Sequence, residues 1–313
     1  MNADSAHGTT QPHAQDSQRP LPPAKDSSQP ASDPASARLS DDEIFLAADY
    51  QHRLRLKRGS AKAFFCPWHA DSGLLTERQR WIRDFPDRHA LALESSSGPL
   101  NEFAEFLHHA FLIPELPTFQ NPRDLTAFLG RHLEPDFAVL TADPSGPRLV
   151  AASVCFPSSW RPEDKIGKGL ESIHAVVPGL NADLGSAIDT FIERLKPGVA
   201  WMRANWGLSA SQELNQHPAR SVPRLQPHLH PSSIWLRIEH QALIALPNTG
   251  ARVFGIRIDQ RRLVDFKAST AHSAALAHAL ETMPEPMAAY KGLASTRDAI
   301  AQYLRSPGGD IEK

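Results

Sequence analysis

Two stretches of this chain carry the same arrangement of side chains, one that could do chemistry. Residues 199–206 read VAWMRANW and residues 234–241 read IWLRIEHQ. If both are strands, period-two alternation places Trp201, Arg203 and Asn205 on one face, with Met202, Ala204 and Trp206 on the other. The same rule groups Trp235, Arg237 and Glu239 against Ile234, Leu236 and Ile238. A fixed guanidinium can stabilise a developing anion. A carboxylate can hold a cation or take its proton, and aromatic side chains can wall the space between them. A solvated face with a weak ion pair fits one such row equally well, because exposed pairs contribute only about 0–1 kcal/mol. Two rows on separate strands suggest a lined pocket, in which buried Arg and Glu must pair with each other or with a ligand.

The elements that would position these rows are legible in part. Pro247-Asn248-Thr249-Gly250 is turn chemistry between the strand at 234–246 and a second one through Phe254, Ile256 and Ile258. Phe137–Thr141 and Leu149–Val154 form a hairpin across Asp143-Pro144-Ser145-Gly146-Pro147. Leu184, Ala187, Ile188, Phe191, Ile192 and Leu195 follow helical spacing, and Pro197-Gly198 ends that helix. Residues 41–135 read as mixed and mostly helical, with Phe103, Phe106, Leu107 and Ala110 on one helix face. The tail from Ser269 to Arg305 reads as helices broken at Pro284 and Pro286. Strands clustered in the middle, paired antiparallel and flanked by helices, define an α+β fold.

Residues 1–40 hold six of the 27 prolines and no aromatic side chain. Such a segment cannot bury enough apolar surface to order itself, so a disordered tail is expected over 1–40. A single domain follows over 41–305, and then a flexible terminus over 306–313. The 33 basic and 35 acidic residues give a net charge of −2, which argues against nucleic acid or an anionic membrane as the main partner. The dense basic run His52–Arg58 reads as a solvated strand edge. Two distant cysteines, Cys66 and Cys155, make no disulfide framework and cannot ligate an ordinary iron–sulfur cluster. No apolar run reaches the ~18–20 residues of a membrane span, and no signal core opens the chain; a cytoplasmic location is expected.

Histidine occurs 15 times. His228-Leu229-His230 is a weak metal pair with no third ligand at the right spacing. His174, in a constrained loop ahead of the long helix, could be a satisfied structural residue or ligate an iron from one side. There is no GxGxxG, Walker-type loop, GxSxG elbow or HExxH.

Several motifs, in order, resemble the haem-dependent oxidative N-demethylase alpha-subunit family. They are Phe156-Pro157-Ser158-Ser159-Trp160-Arg161-Pro162, Lys165-Ile166-Gly167, and Ile173-His174 with Val177-Pro178-Gly179. The match continues through Arg203-Ala204-Asn205-Trp206, Leu236–Gln241, Leu246–Gly250 and Tyr290-Lys291-Gly292-Leu293, over about residues 135–305. The resemblance implies a PAS-like antiparallel sheet with flanking helices that binds haem b. It implies oxidative demethylation of a small alkylamine, such as dimethylamine, by O₂ with release of formaldehyde. NADPH, flavin and an iron–sulfur cluster would then belong to a separate reductase subunit. His174 would be the iron ligand, and Arg203 would stabilise negative charge on reduced oxygen. Glu239 would attract the substrate ammonium or accept its proton. Arg237 and Asn205 would hold these groups or a propionate, and Trp201, Trp206 and Trp235 would wall an enclosed cavity. Where the family usually shows Glu-Arg-Gln-Thr-Leu, this chain has Glu239-His240-Gln241-Ala242-Leu243, which could alter substrate choice, partner docking or activity. A non-catalytic haem or ligand sensor, and a haem-free binding or assembly protein, are the competing readings.

Overall fold

The computed structural model describes residues 37–68, 73–143 and 146–307. Seven strands form one antiparallel sheet: β1 (Lys57–Gly59), β2 (Leu91–Ala92), β3 (Asp136–Leu140), β4 (Leu149–Ser153), β5 (Ala200–Ser209), β6 (Trp235–Ala245) and β7 (Arg252–Arg262). Their order across the sheet is β1-β5-β6-β7-β3-β4-β2. The expected hairpins are present as β3–β4 and β6–β7, and the long helix Leu180–Arg194 lies on the connection from β4 to β5. β1 and β2, three and two residues long, close the two ends of the sheet. Both lie in the third of the chain expected to be mostly helical, and strands so short display no period to read. β1 is an edge strand, but of the basic run at 52–58, expected as a solvated strand edge, only Lys57 and Arg58 belong to it; Lys57 Nζ pairs with Glu43 at 2.7 Å.

Most of the tail expected to be disordered, and positions 308–313 of the expected flexible terminus, lie outside the described residues. Residues 37–40 are described, with Ala37 and Leu39 buried against the sheet's aromatic core.

The even-numbered residues of β5 and β6 face apolar packing. Met202, Ala242 and Ile244 meet Phe64, Phe65, Phe103 and Leu107 from the helices Ala61–Phe65 and Ser97–His109. Further along the same face, Leu208, Leu236 and Ile238 pack under the C-terminal helices Thr270–Glu281, Glu285–Tyr290 and Arg297–Arg305. The odd-numbered face is apolar only at one end. There Trp201, Leu243 and Ala245 pack beneath Ile188, Phe191 and Ile192 of the long helix. Every second residue therefore faces one of two cores, except along the polar rows.

Two buried charges fix the frame. Arg78 is fully buried; its Nε donates to the Gly130 carbonyl at 2.9 Å and its Nη1 pairs with Asp136. Asp136 also accepts from the backbone N–H groups of Cys155 at 2.7 Å and Phe156 at 3.0 Å, which anchors the loop after β4. Glu102 does similar work at the β6–β7 turn, where Gly250 takes φ +66. Its carboxylate accepts from Asn248 N at 2.6 Å, Thr249 N at 2.7 Å and Thr249 Oγ1 at 2.5 Å. Burial alone would raise the Glu102 pKa, but the hydrogen bonds from Thr249 and Asn248 outweigh it and hold the carboxyl below its usual range. Glu102→Gln is expected to cost about 1–3 kcal/mol at neutral pH, read from urea unfolding midpoints. A carboxylate with a depressed pKa stabilises above its unfolded pKa and loses that contribution as pH falls through the folded value. The deficit should therefore shrink in acid, below the ordinary carboxylate range.

Candidate functional site

The register of β5 on β6 sets the two polar rows side by side. Arg203 lies opposite Gln241, Asn205 opposite Glu239, Gly207 opposite Arg237, and Ser209 opposite Trp235. β1 pairs only with residues 200–202 of β5. From Arg203 onward β5 is therefore the open edge of the sheet, and the rows line a crevice along it. Asn205 is exposed, and a Cβ on Gly207 would meet nothing within 4 Å. The rows thus open outward at the Asn205–Gly207 end rather than lining the enclosed cavity expected, because nothing pairs with β5 there. A cleft of 610 Å³ lined by Pro86, Asp87, Glu94 and Arg123, and a pocket of 100 Å³ lined by Leu229, Leu263 and Tyr303, share no residue with the crevice.

Arg237 and Glu239 are joined through Ser158, on the loop anchored by Asp136. Arg237 Nε donates to Ser158 Oγ at 2.8 Å, and that hydroxyl donates to Glu239 Oε1 at 2.5 Å. Gln241 Nε2 donates to Glu239 Oε2 at 3.0 Å. Arg237 Nη2 donates to the carbonyls of Phe156 at 2.7 Å and Leu214 at 2.8 Å. With the Gln260 amide oriented to donate to the Gln212 carbonyl, its oxygen accepts from Arg237 Nη1 at 3.0 Å. Burial draws the Arg237 pKa down to about 10. Every nitrogen of this guanidinium is engaged by the protein, so Arg237 positions Glu239 and two loops and has no fork left for a ligand carboxylate. Ser158 was not singled out from sequence for any role. Its neighbour Ser159, at φ +62, occupies the left-handed region, a conformation that costs a non-glycine residue about 1–3 kcal/mol and clusters at functional loops.

Arg203 is the opposite case. Its Nε is sealed from solvent without a partner, and the guanidinium makes no hydrogen bond or ion pair with any described residue. Burial lowers its pKa, partly offset by the charge of Glu239. His174 ends the five-residue helix Leu170–His174, which is seated by Ile173 and Leu170 against β3 and β4 and by Lys165 Nζ donating to the Ile173 carbonyl at 3.3 Å. The imidazole is half-buried and has no hydrogen bond among the described residues. Burial, then the nearby charge of Arg203, holds its pKa below the ordinary histidine value, so the ring is neutral near pH 7. The structure thus brings His174, Arg203 and Glu239 into one electrostatic neighbourhood.

Two residues of the C-terminal helices reach the same place. Lys291 Nζ donates to the Trp206 carbonyl at 2.7 Å and lies 5.3 Å from the Trp206 ring centroid. Burial draws its pKa down to about 8, against the charge of Glu239 and with that of Arg203. Tyr290, 49% exposed, has its phenol pKa raised by burial and by Glu239. Neither was assigned a role from sequence, although both stand in a quoted motif.

The tryptophans divide. Trp201 walls the crevice's apolar end, with Phe191 edge-on at 6.0 Å and Arg58 over its ring at 5.4 Å. Trp235 is half-buried on the polar face beside Arg237. Trp206, expected as a wall, is on the opposite face, packed edge-on to Tyr50 at 6.2 Å; it meets the crevice only through Lys291. The family departures resolve in the same way. His240 and Ala242 point away from Glu239 into the opposite core, where His240 lies 5.8 Å from the Trp68 ring and burial lowers its pKa to about 4. The replaced Arg therefore does not stand beside the carboxylate. His230, from the weak metal pair, accepts from Ser232 N at 3.3 Å in a tight turn. Among the described residues no three His, Cys, Asp or Glu side chains gather to hold a metal ion, and no helix is long and apolar enough to cross a membrane.

A neutral imidazole without a partner, a sealed guanidinium nitrogen without an acceptor, and an open floor at Gly207 all fit a planar, iron-bearing group seated on this edge. Fold and site together define an α+β protein with cationic side chains gathered at the open margin of its antiparallel sheet. The chain belongs to the haem-dependent oxidative N-demethylase, alpha subunit-like family, whose pattern matches residues 76–301.

Proposed function

We propose that this chain is the haem-binding subunit of an oxidative N-demethylase acting on a small alkylamine, with O₂ as oxidant and formaldehyde as co-product. The observation that carries the reading is Arg203, a cation that the fold surrounds but supplies with no acceptor. Leaving a donor unsatisfied costs about 1–3 kcal/mol, a cost that a bound group can remove. The antiparallel sheet is compatible with the PAS-like label that the resemblance implies.

His174 would hold haem b as a neutral imidazole ligand, and haem, when bound, supplies the redox chemistry with dioxygen. Arg203 donates hydrogen bonds to electron-rich oxygen at the crevice face, from a fixed position that needs no reorganisation. Glu239 attracts the amine or takes its proton at a carboxylate whose orientation Ser158 and Gln241 set. Arg237 sets Ser158. Trp201 excludes water from the apolar end. Electrons come from a separate NADPH-dependent subunit carrying flavin and an iron–sulfur cluster, in keeping with a family described as alpha-subunit-like and with a chain of two cysteines.

Titration of the purified protein with haem is expected to produce a Soret band that His174→Ala shifts or removes. The reduced, loaded protein should release formaldehyde from a dimethylated amine. A wild-type protein with no Soret band would remove the haem reading. Haem binding without formaldehyde, once the reductase is supplied, would turn the protein into a haem-based sensor.

A further inference from the structure

The crevice holds more positive charge than its own residues can balance. Arg203, Arg237 and Lys291 share the carboxylate of Glu239, whose two oxygens are already engaged by Ser158 and Gln241, while Asp136, which also acts on Arg237, is taken up by Arg78. Four of the five Arg237 N–H groups are already engaged by the protein, and the fifth is on Nη1 beside Gln260. The anion-binding capacity of the crevice therefore rests on Arg203, the cation that acts on His174, and on Lys291, which lies towards Trp206. Lys291 is unusual on geometry. Its ammonium has three N–H groups and, among the described residues, one acceptor, the Trp206 carbonyl at 2.7 Å. That bond fixes the nitrogen on the bare edge of β5, above the Trp206 ring at 5.3 Å, where its remaining donors are available to whatever occupies the open floor beside Gly207.

We infer that Lys291 is a ligand-binding residue of this crevice, donating from its ammonium to a carboxylate of the bound group. Resting on the haem reading above, that carboxylate is a porphyrin propionate. The assignment moves the propionate anchor from Arg237 and Asn205, to which the family resemblance gave either that role or the holding of the neighbouring groups, to a residue on the C-terminal helices that sequence reading left without a role. It also accounts for a positive cluster that is costly without a counter-ion. The ammonium is held below its ordinary range by burial, and an added carboxylate would restore it.

The test compares iron protoporphyrin IX with its dimethyl ester, which has the same ring and iron but no carboxylates, each titrated into the full chain and followed by absorbance. The free acid is expected to bind wild type roughly ten- to a hundredfold more tightly than the ester, the worth of a charge-assisted hydrogen bond. Lys291→Gln keeps a donor for the Trp206 carbonyl but removes the charge. It should weaken free-acid binding by a similar factor, leave ester binding unchanged, and be rescued by Lys291→Arg. Equal affinity of wild type for both porphyrins would overturn the assignment while the haem reading stands, and this comparison needs no variant to fold. Binding of neither porphyrin would overturn the haem reading, and the assignment with it.

Discussion

Arg203→Met is expected to make the ligand-free protein more stable, by about 1–3 kcal/mol, while lowering turnover of the loaded protein about a hundredfold or more. The two effects share one cause. In the free chain the guanidinium brings into a half-buried position a sealed, unpaired Nε and a charge that meets only the already engaged carboxylate of Glu239. Met fills much of the same space with no donor to satisfy. Urea unfolding of the haem-free proteins and formaldehyde release by the loaded ones measure the two halves separately. A variant less stable than wild type would show that Arg203 serves the fold, and the crevice would lose the observation on which its function rests.

Arg78→Met should do the reverse, at a residue more deeply buried than Arg203. Arg78 and Asp136 are 0% and 1% exposed and pair directly, and the carboxylate is further bonded by two backbone N–H groups. Removing one partner of such a pair leaves the other charge buried, at a cost of about 3–5 kcal/mol. That is a large share of the 5–15 kcal/mol, roughly, that holds a domain together. The thermal midpoint should drop sharply, and the loop that carries Ser158 should lose its anchor. Retention of wild-type stability would mean that Asp136 finds another partner on relaxation. Two arginines with opposite expected outcomes separate a charge that builds the fold from one that awaits a ligand.

The sheet was readable where residues alternate over a long run. β5, β6 and β7 showed their period, and with it the common face of Arg203, Asn205, Arg237 and Glu239. Alternation also placed Trp206 opposite that face, and only the family resemblance put it into the wall. The relay from Arg237 through Ser158 to Glu239 was not readable, because Ser158 is 79 residues from Arg237 and 81 from Glu239. No local pattern reports which loop returns over a sheet. Lys291 was hidden for a similar reason: its helix packs against the opposite face and reaches the crevice round an unpaired margin. The openness of the crevice follows from β1 stopping after three residues, and a run so brief has no periodicity.

That brevity has a further consequence. Peptide groups left bare along a strand invite a foreign chain to add itself as another strand, which is how sheet proteins stick to one another. Here the Trp206 carbonyl, a bond such an intruder would need, is already held by an ammonium. The lysine that we assign to the cofactor therefore also keeps neighbouring molecules from zipping together at the doorway through which a cofactor must pass.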